Sequence, residues 1–152
     1  MLNISNIIKT WPKNEYGWSN APSGLTWIQE GNWIKCGDNV EIGNDTKIGN
    51  FTEIGDFTEI GNFTTIGNGT NLGTCSKVLD NSTECIDLGF YDGYRKVLCL
   101  VQGQARIASG CRDFSISEAL EHWGNHEKDR KMTFACIKFA KELAEIRGFS
   151  YT

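Results

Sequence analysis

Glycine recurs every six residues through the middle of the chain, and this spacing constrains the fold more than any other feature of the sequence. The glycines that share it are Gly31, Gly37, Gly43, Gly49, Gly55, Gly61, Gly67 and Gly73. An apolar residue, most often isoleucine, precedes each glycine after the first, and asparagine or aspartate usually follows it. A period of six is not a helical period. Each hexad therefore predicts a short strand followed by a corner.

Three strands and three corners close a triangle, so eighteen residues form one coil and the nine hexads of residues 30–83 form three. Each residue then lies over the one eighteen places later. The predicted interior columns are Glu30 with Ile48 and Ile66, Cys36 with Ile54 and Leu72, and Ile42 with Ile60 and Val78. The predicted corner columns are Asn32 with Asn50 and Asn68, Asp38 with Asp56 and Thr74, and Asn44 with Asn62 and Asp80. Only Glu30 departs from an apolar interior, and we interpret it as an end position.

The run of hexads from Ile42-Gly-Asn-Asp-Thr-Lys to Leu72-Gly-Thr-Cys-Ser-Lys resembles the hexapeptide-repeat proteins, which fold as left-handed parallel β-helices. The resemblance implies a homotrimer with ligand sites between neighbouring prisms, and known members include acyltransferases and gamma-class carbonic anhydrases. We therefore predict a mainly β fold, a left-handed parallel β-helix of three coils with a small C-terminal ββαα appendage. Because fold alone does not determine function, the family's activities have to be tested against the residues themselves.

The pattern changes at both ends of the repeat, which predicts four segments. Residues 1–29 carry three tryptophans without a sustained period, and we expect them to cap the open end of the prism. An aromatic ligand pocket is the alternative for this segment. Residues 30–83 form the β-helix, residues 84–92 a linker, and residues 93–152 the appendage.

In the appendage, the spacing of apolar residues predicts a β-hairpin and two helices. The strands run from Tyr94 to Val101 and from Gln104 to Ala108. Ser115-Ile-Ser-Glu118 is a capping box that opens a short helix through Trp123. The second helix ends at Gly148. Its predicted apolar face consists of Met132, Cys136, Phe139, Leu143 and Ile146.

The charge balance disfavours long polyanionic partners. With 15 lysines and arginines against 19 aspartates and glutamates, the net charge is -4, so we expect neither nucleic-acid nor membrane binding. The chain has no apolar run of about 18 residues, and its start, Met1 to Ser5, lacks the features of a signal peptide. These features predict a cytoplasmic protein. Six cysteines without a close pair predict reduced thiols.

The chain has two histidines, His122 and His126, and both lie outside the repeat. Acyltransferases of the family generally use a histidine as the general base. The repeat has no histidine, so the prism cannot supply this general base by itself. The carbonic anhydrases need three histidines to hold zinc, which excludes that activity. We therefore predict a prism without catalytic residues, cofactor or metal. An acyltransferase that receives His122 or His126 from a neighbouring chain is the alternative.

One set of appendage residues has the chemistry of a site for a small anion. Guanidinium groups bind phosphate or carboxylate, an indole stacks, and imidazoles form hydrogen bonds. The predicted ligand-binding residues are Arg106, Arg112, His122, Trp123 and His126. The alternative is that they are ordinary surface or packing residues. Gly124-Asn125 is expected to break the helix between the histidines, which argues against a metal site at their four-residue spacing.

The outer surface of the prism carries aromatic residues that we expect at a trimer or partner interface. They are Trp33, Phe51, Phe57 and Phe63. Glu41 and Glu59 stack in one column, where like charges repel unless Lys77 or a neighbouring subunit's lysine offsets them. We expect an intersubunit salt bridge there. The alternatives are cover by other segments for the aromatic residues and a bound metal ion for the glutamates.

A second resemblance concerns the appendage, because the stretch from Gly110 to Trp123 is similar to a small domain of phage and prophage proteins whose role is mostly unassigned. The leading hypothesis is a phage-encoded, non-catalytic trimer that binds a small nucleotide-like anion at subunit boundaries, or a host protein, to counter a host defence in the host cytoplasm. The alternatives are an acyltransferase that uses an appendage histidine and a structural component of the virion.

Overall fold

The middle of the chain winds as short parallel strands around a shared apolar interior. The computed structural model describes residues 1–126 and 128–151. In chain order the elements are β1 (Leu2–Asn3), α1 (Ser5–Ile8), β2 (Ser19–Asn20), β3 (Trp33–Cys36), β4 (Glu41–Ile42), β5 (Lys47–Ile48), β6 (Thr52–Ile54), β7 (Glu59–Ile60), β8 (Thr65–Ile66), β9 (Asn71–Leu72), β10 (Lys77–Val78), β11 (Ser82–Tyr91), β12 (Tyr94–Val101), β13 (Gln104–Ser109), β14 (Arg112–Ser115), α2 (Ile116–Gly124) and α3 (Lys131–Arg147). Strands β4 to β10 recur with the six-residue period of the glycines.

The repeat forms three faces, and within each face the strands of the repeat pair in parallel one coil apart. Face A has the strand order β1-β4-β7-β10, face B the order β2-β3-β6-β9, and face C the pair β5-β8. β1 and β2, from the N-terminal segment, pair antiparallel with β4 and β3. Ile42 pairs with Ile60, and Ile60 with Val78, so the predicted register of eighteen residues is confirmed. These sheets and this register form a β-helix.

The predicted interior columns are present, with one correction. The paired columns are Cys36–Ile54–Leu72, Ile42–Ile60–Val78 and Ile48–Ile66. The prediction that Glu30 begins the third column is wrong, because Ile28 is buried and bridges to Ile48 whereas Glu30 is exposed. A turn in which Asn32 N donates to Gln29 O at 3.1 Å lengthens this first side of the prism and places Glu30 outside.

Polar side chains join each corner to the corner of the next coil. The donor and acceptor pairs are Asp38 N to Asp56 Oδ1, Asn44 N to Asn62 Oδ1, Asn50 N to Asn68 Oδ1 and Asn62 N to Asp80 Oδ1, at 2.7–2.8 Å. Asn50 Oδ1 accepts from Trp33 N rather than from Asn32, because the lengthened first side shifts the corner by one residue. The side-chain oxygens satisfy turn N–H groups that no strand would reach.

Glycine is required in the hexad because the next coil passes too close for a side chain. A Cβ atom built on Gly49 would lie 2.6 Å from Asn68 N and 2.7 Å from Gly67 C. The left-handed backbone of each corner falls two residues after the glycine, and φ there is 54° at Phe51, 58° at Phe57 and 55° at Phe63. The glycine therefore serves close packing between coils, while its second neighbour makes the turn.

The N-terminal segment covers one end of the prism. Ser5 Oγ, in α1, donates to Gly37 O at 2.7 Å, which fixes the helix to the first coil. Ile8 is buried in the same apolar cluster as the interior columns. Trp11 and Trp27 stack with ring centroids 5.6 Å apart and belong to that cluster too. The aromatic residues of this segment thus shield the first coil from water.

An antiparallel sheet with the order β11-β12-β13-β14 packs against the last coil. Alternation along β12 directs Val97 and Cys99 into the prism cluster and Leu98 into a second cluster with α2 and α3. The sheet is larger than the predicted hairpin, since residues 84–92, predicted as a linker, lie in β11 and its turn, and β14 adds a further strand. The loss of glycines after residue 73 marks the end of the repeat, not the end of regular structure.

An ion pair joins this sheet to the prism. Asp87 Oδ2, on β11, accepts a hydrogen bond from Gly73 N at 2.7 Å, and Arg95 Nε, on β12, donates to Thr74 O at 2.7 Å. Arg95 and Asp87 also pair with each other at 3.1 Å and are largely buried. The two side chains bond backbone groups of the Gly73–Cys75 corner, in the last coil, that a further coil would otherwise bond. They therefore end the β-helix and attach the appendage to it.

The buried face of α3 differs from the predicted one. Its buried residues are Thr133, Cys136, Ile137, Ala140 and Ala144. Of the five predicted positions only Cys136 is buried, whereas Met132, Phe139 and Ile146 are exposed and Leu143 is half-buried. Small residues allow α3 to approach its neighbours closely, which the apolar spacing alone did not indicate.

We predict that Gly49→Ala destabilises the protein by about 1–3 kcal/mol, because the added methyl group would overlap the backbone of the next coil. Urea unfolding followed by circular dichroism measures the difference. Gly67→Ala is the matched control, since Gly67 has the same hexad position one coil later and its nearest neighbour would be Thr70 Oγ1 at 3.8 Å. We expect Gly67→Ala to leave stability unchanged or slightly raised, and equal losses in both variants would contradict the close-approach argument.

Candidate functional site

A cavity of about 360 Å³ opens on the appendage beside the start of α3. Its walls come from the start of β12, the turn between β13 and β14, and the segment between α2 and α3. Four of the five predicted ligand-binding residues line it together, namely Arg112, His122, Trp123 and His126. The fold therefore gathers most of the predicted set in one place.

Helix α2 places His122 and Trp123 at the cavity because local hydrogen bonds define both of its ends. At its start, Glu118 N donates to Ser115 Oγ at 3.1 Å and Ser115 N donates to Glu118 Oε1 at 3.0 Å, which is the predicted capping box. After the helix ends, His126 N donates to Trp123 O at 3.0 Å. The ring centroids of the two histidines lie 5.5 Å apart.

His122 lies among aromatic rings and positive charge. Its ring centroid is 5.0 Å from that of Phe114 and 5.2 Å from that of Trp123. Desolvation, with Arg112 and His126 nearby, holds the pKa of His122 below its ordinary value. These neighbours favour the neutral imidazole, and a bound anion would offset the repulsion that disfavours its charged form.

The aromatic surface of the cavity differs from the predicted one. Trp123 is buried and packs edge-on against Phe114, with centroids 5.4 Å apart, so its indole belongs to the core and is not a free stacking surface. Tyr94 is exposed and lines the same cavity. Its ring lies against the β13–β14 turn, because a Cβ atom built on Gly110 would lie 2.9 Å from Tyr94 Cδ1. Sequence analysis had placed Tyr94 only at the start of a strand.

Two further cations line the cavity, Lys96 and Arg130, and neither was a predicted site residue. Lys96 is 1% exposed, and its Nζ donates to Tyr91 O and Tyr94 O, each at 2.9 Å. Burial lowers the pKa of Lys96. A single lysine before the apolar run of β12 was the available signal in the sequence, but only the fold shows that it faces a cavity.

Among the described residues that line the cavity, lysines and arginines outnumber carboxylates by three to two. Lys96, Arg112 and Arg130 face the carboxylates of Asp92 and Asp129. Within the part of the chain that the structure describes, no carboxylate lies within 4.0 Å of the charged nitrogens of the three cations. An anion in the cavity could form charge-assisted hydrogen bonds with these cations.

Arg106, the fifth predicted residue, lies away from the cavity. It is paired with Ser115 across β13 and β14, whereas Arg112 is paired with Ser109 at the other end of the same ladder. Arg106 Nε bonds Asp113 Oδ1 at 2.7 Å. The prediction that Arg106 shares a site with the other four residues is not met by this geometry, because the β13–β14 register separates the two arginines.

The predicted interface residues of the prism fall into two groups. Phe57 and Phe63 are 61% and 60% exposed at corners on either side of face A. Phe51 is exposed but contacts Trp18 edge-on, with centroids 5.5 Å apart, and Trp33 is half-buried. A left-handed backbone disfavours a bulky residue such as phenylalanine, so local structure does not explain this choice.

The two glutamates of the predicted interface have the predicted register. Glu41 pairs with Glu59 across β4 and β7, and Lys77 pairs with Glu59 across β7 and β10. These three side chains form a charged column along the middle of face A, which the exposed phenylalanines flank. Lys77 follows the glutamates in this column, and the intersubunit salt bridge expected there stays a prediction.

The thiols and the possible metal ligands of the described residues do not form a second candidate site. The six cysteines are free thiols, and burial raises the pKa of Cys85 to about 12 and that of Cys99 to about 11. Among the described residues, no group of three or more histidine, cysteine, aspartate or glutamate side chains could hold a metal ion. In the same residues, no helix has the length and apolar character needed to cross a membrane.

Comparison with known proteins bears on the repeat. The family model described as Bacterial transferase hexapeptide (six repeats) matches residues 39–74. No curated protein and no solved structure matches the chain. The hexapeptide-repeat prediction is supported over the matched residues, and the resemblance of the appendage to a phage domain stays a prediction.

Asp92 fixes one wall of the cavity, and we predict that Asp92→Ala lowers stability by about 1 kcal/mol through loss of a helix cap. Asp92 Oδ2 accepts from Thr133 Oγ1 at 2.6 Å and from Thr133 N at 2.9 Å, in the first turn of α3. These bonds hold the pKa of Asp92 below its ordinary value. The stabilisation that these two bonds give is therefore complete at pH values above the ordinary pKa of aspartate. It is lost as the pH falls through the lowered pKa of Asp92.

Asp92→Asn is the control for the charge, because an amide oxygen still accepts these bonds but does not titrate. Chemical unfolding of the three proteins from neutral to acid pH measures the effect. We expect the difference in free energy of unfolding between the wild type and Asp92→Ala to shrink as the pH falls. The difference between Asp92→Asn and Asp92→Ala should persist. A wild-type advantage that grows on acidification would refute the cap.

Proposed function

We propose that this protein is a non-catalytic binding protein that holds a small anion in the appendage cavity. The observation that carries the proposal is the convergence of Arg112, His122 and His126 with Lys96 and Arg130 on one cavity. The prism serves as a rigid support, and the appendage supplies the chemistry.

The charges of the cavity favour an anion with several acceptor oxygens. Arginine binds phosphate or carboxylate through two parallel hydrogen bonds, and lysine contributes a compact point charge. Lys96 uses two of its three donors on the carbonyls of Tyr91 and Tyr94 and retains one. A phosphate group has enough oxygens to engage the arginines, the lysine and a histidine at once.

A planar group beside the phosphate would fit the rest of the cavity. The volume of about 360 Å³ is within the range of small-molecule sites. Tyr94 borders it with an exposed ring, and base stacking on such rings stabilises nucleotides by about 1–3 kcal/mol. We therefore propose a nucleotide-like ligand. Sequestration of a nucleotide signal of a host defence by a phage-encoded protein is the biological role we assign, with a host protein as the alternative partner.

We also propose that the subunits form a homotrimer through face A. Hexapeptide-repeat proteins are commonly trimers, and the exposed Phe57 and Phe63 flank the charged column of Glu41, Glu59 and Lys77 on this face. A neighbouring prism would cover both rings and give Glu41 and Glu59 a cationic partner.

A transferase activity is the second candidate, and the description of the matched family favours it. In the single chain, both histidines line the appendage cavity and the repeat has none, so a general base would have to come from a neighbouring subunit. Consumption of acetyl-CoA with amine or hydroxyl acceptors, abolished by His122→Ala, would favour a transferase and count against a non-catalytic role.

For the cavity we predict that adenosine monophosphate, and more weakly inorganic phosphate, binds the wild type and raises its melting temperature. Loss of a charged hydrogen-bond partner costs about 1.5–3 kcal/mol, so Arg112→Ala and Arg130→Ala should each raise Kd about tenfold or more. Calorimetric titration measures Kd, and differential scanning fluorimetry measures the melting temperature.

Arg106→Ala is the matched control, because it removes an arginine of the appendage that lies outside the cavity. It should bind the nucleotide as the wild type does. Equal affinity in the wild type and in Arg112→Ala, or no binding of any phosphate compound by the wild type, would refute the anion site.

For face A we predict that the double variant Phe57→Ser and Phe63→Ser remains folded and loses the trimer. Light scattering coupled to size-exclusion chromatography measures the mass, and circular dichroism measures the fold. Tyr16→Ser removes an even more exposed ring, in the N-terminal segment, and should keep the wild-type mass. An unchanged mass in the double variant would show that this face is not the subunit contact.

A further inference from the structure

A line of exposed apolar side chains runs along α3. Met132, Phe139 and Ile146 are 57%, 53% and 82% exposed. They are seven residues apart, which is roughly two helical turns, so they lie one above another on one side of the helix. We call these three residues the α3 stripe. Their side of the helix is distinct from the buried side formed by residues such as Ile137 and Ala140.

Single exposed apolar residues are ordinary, but a stripe at heptad spacing is the pattern of a helix that packs on another helix. The helix has 17 residues and is about 26 Å long. The stripe extends over almost its entire length, from the second residue to the second last. A partner helix of similar length would cover all three side chains.

We propose that the α3 stripe packs antiparallel against the α3 stripe of a second copy of this chain, with the two-fold axis at Phe139. Met132 then meets the partner's Ile146, and Phe139 meets the partner's Phe139. Such an isologous contact is complementary to itself, so one patch serves both subunits. This contact is independent of the anion cavity and of face A.

The charges beside the stripe select the antiparallel arrangement. Lys131 and Lys138 lie in the N-terminal half of α3, and Glu142 and Glu145 lie in the C-terminal half. On a helix of 3.6 residues per turn all four lie on the same side of the stripe. Antiparallel packing brings Lys138 to the partner's Glu142 and Lys131 to the partner's Glu145. Parallel two-fold packing would place the charged sides of the two helices on opposite sides of the contact, where these charges cannot pair.

Of these two ion pairs, the one between Lys138 and Glu142 is the more informative. Glu145 already accepts a hydrogen bond from Tyr151 at 2.9 Å and pairs with Lys141 at 3.8 Å within the chain. Lys138 Nζ lies 4.8 Å from the centroid of the Phe134 ring, and neither Lys138 nor Glu142 forms a salt bridge among the described residues, so no carboxylate or ammonium of the same chain competes with the proposed pair there.

The contact is small and therefore weak by itself. One 17-residue helix face buries less than the roughly 1,000 Å² of a stable interface. If the protein is a trimer, three such contacts would join two trimers. Together they would bind more tightly than one contact alone. We therefore expect the molar mass in solution to double as the protein concentration rises. This holds whether the smaller unit is a monomer or a trimer.

The first test is analytical ultracentrifugation of the full chain over a range of concentrations. We expect the wild type to reach twice the mass of Phe139→Glu, because a buried pair of glutamates on the two-fold axis abolishes the contact. Phe90→Glu, a charge placed on an equally exposed ring of β11, is the control and should behave as the wild type. Equal masses for the wild type and Phe139→Glu would overturn the proposal.

The second test uses charge reversal and mixing. Lys138→Glu alone and Glu142→Lys alone each place like charges across the proposed contact, so each should remain at the smaller mass. An equimolar mixture of the two variants restores opposite charges in mixed pairs and should recover the doubled mass. Effects within one helix cannot produce this recovery, since neither chain changes on mixing. A mixture that stays at the smaller mass would overturn the antiparallel arrangement.

Discussion

The close approach of successive coils at the hexad glycines is the constraint on which the rest of the structure depends. At Gly49 the backbone of the next coil leaves no space for a Cβ atom, and the adjoining Asn50 is bonded to the next coil through Asn68. Because the spacing between coils is set at the corners, the isoleucine columns stack directly over one another and form the buried interior. Such an interior leaves ends, corners and faces as the places where the prism can interact with other molecules.

The end of the prism determines where the appendage chemistry lies. Asp87 and Arg95 bond the free backbone groups of the Gly73–Cys75 corner in the last coil, so β12 leaves the prism in a fixed orientation. The residue after Arg95 is Lys96, which β12 alternation places toward the cavity and away from solvent. A single strand thus connects the rigid repeat to the floor of the candidate site, and the stability of the repeat supports the geometry of the cavity.

Both surfaces proposed for self-association have residues that local structure does not favour. Phe57 and Phe63 occupy left-handed corners where the other coils have Asn39 and Cys75, and Asp45 and Asn81, respectively. Met132 and Phe139 occupy the exposed side of a helix whose buried side is made of smaller residues. In both places the side chain is costly for the isolated subunit, either in backbone strain or in exposed apolar area, and burial against another subunit would offset that cost.

The sequence by itself determined the period, the register and the local caps, because each of these depends on residues a fixed distance apart: eighteen for Ile42 and Ile60, and three for Ser115 and Glu118. Only the tertiary structure decided which cations share a cavity and which side of α3 is buried. Arg112 faces Lys96 and Arg130 there, whereas the β13–β14 register carries Arg106 elsewhere. These outcomes depend on contacts between elements distant in sequence, and a local pattern does not encode such contacts.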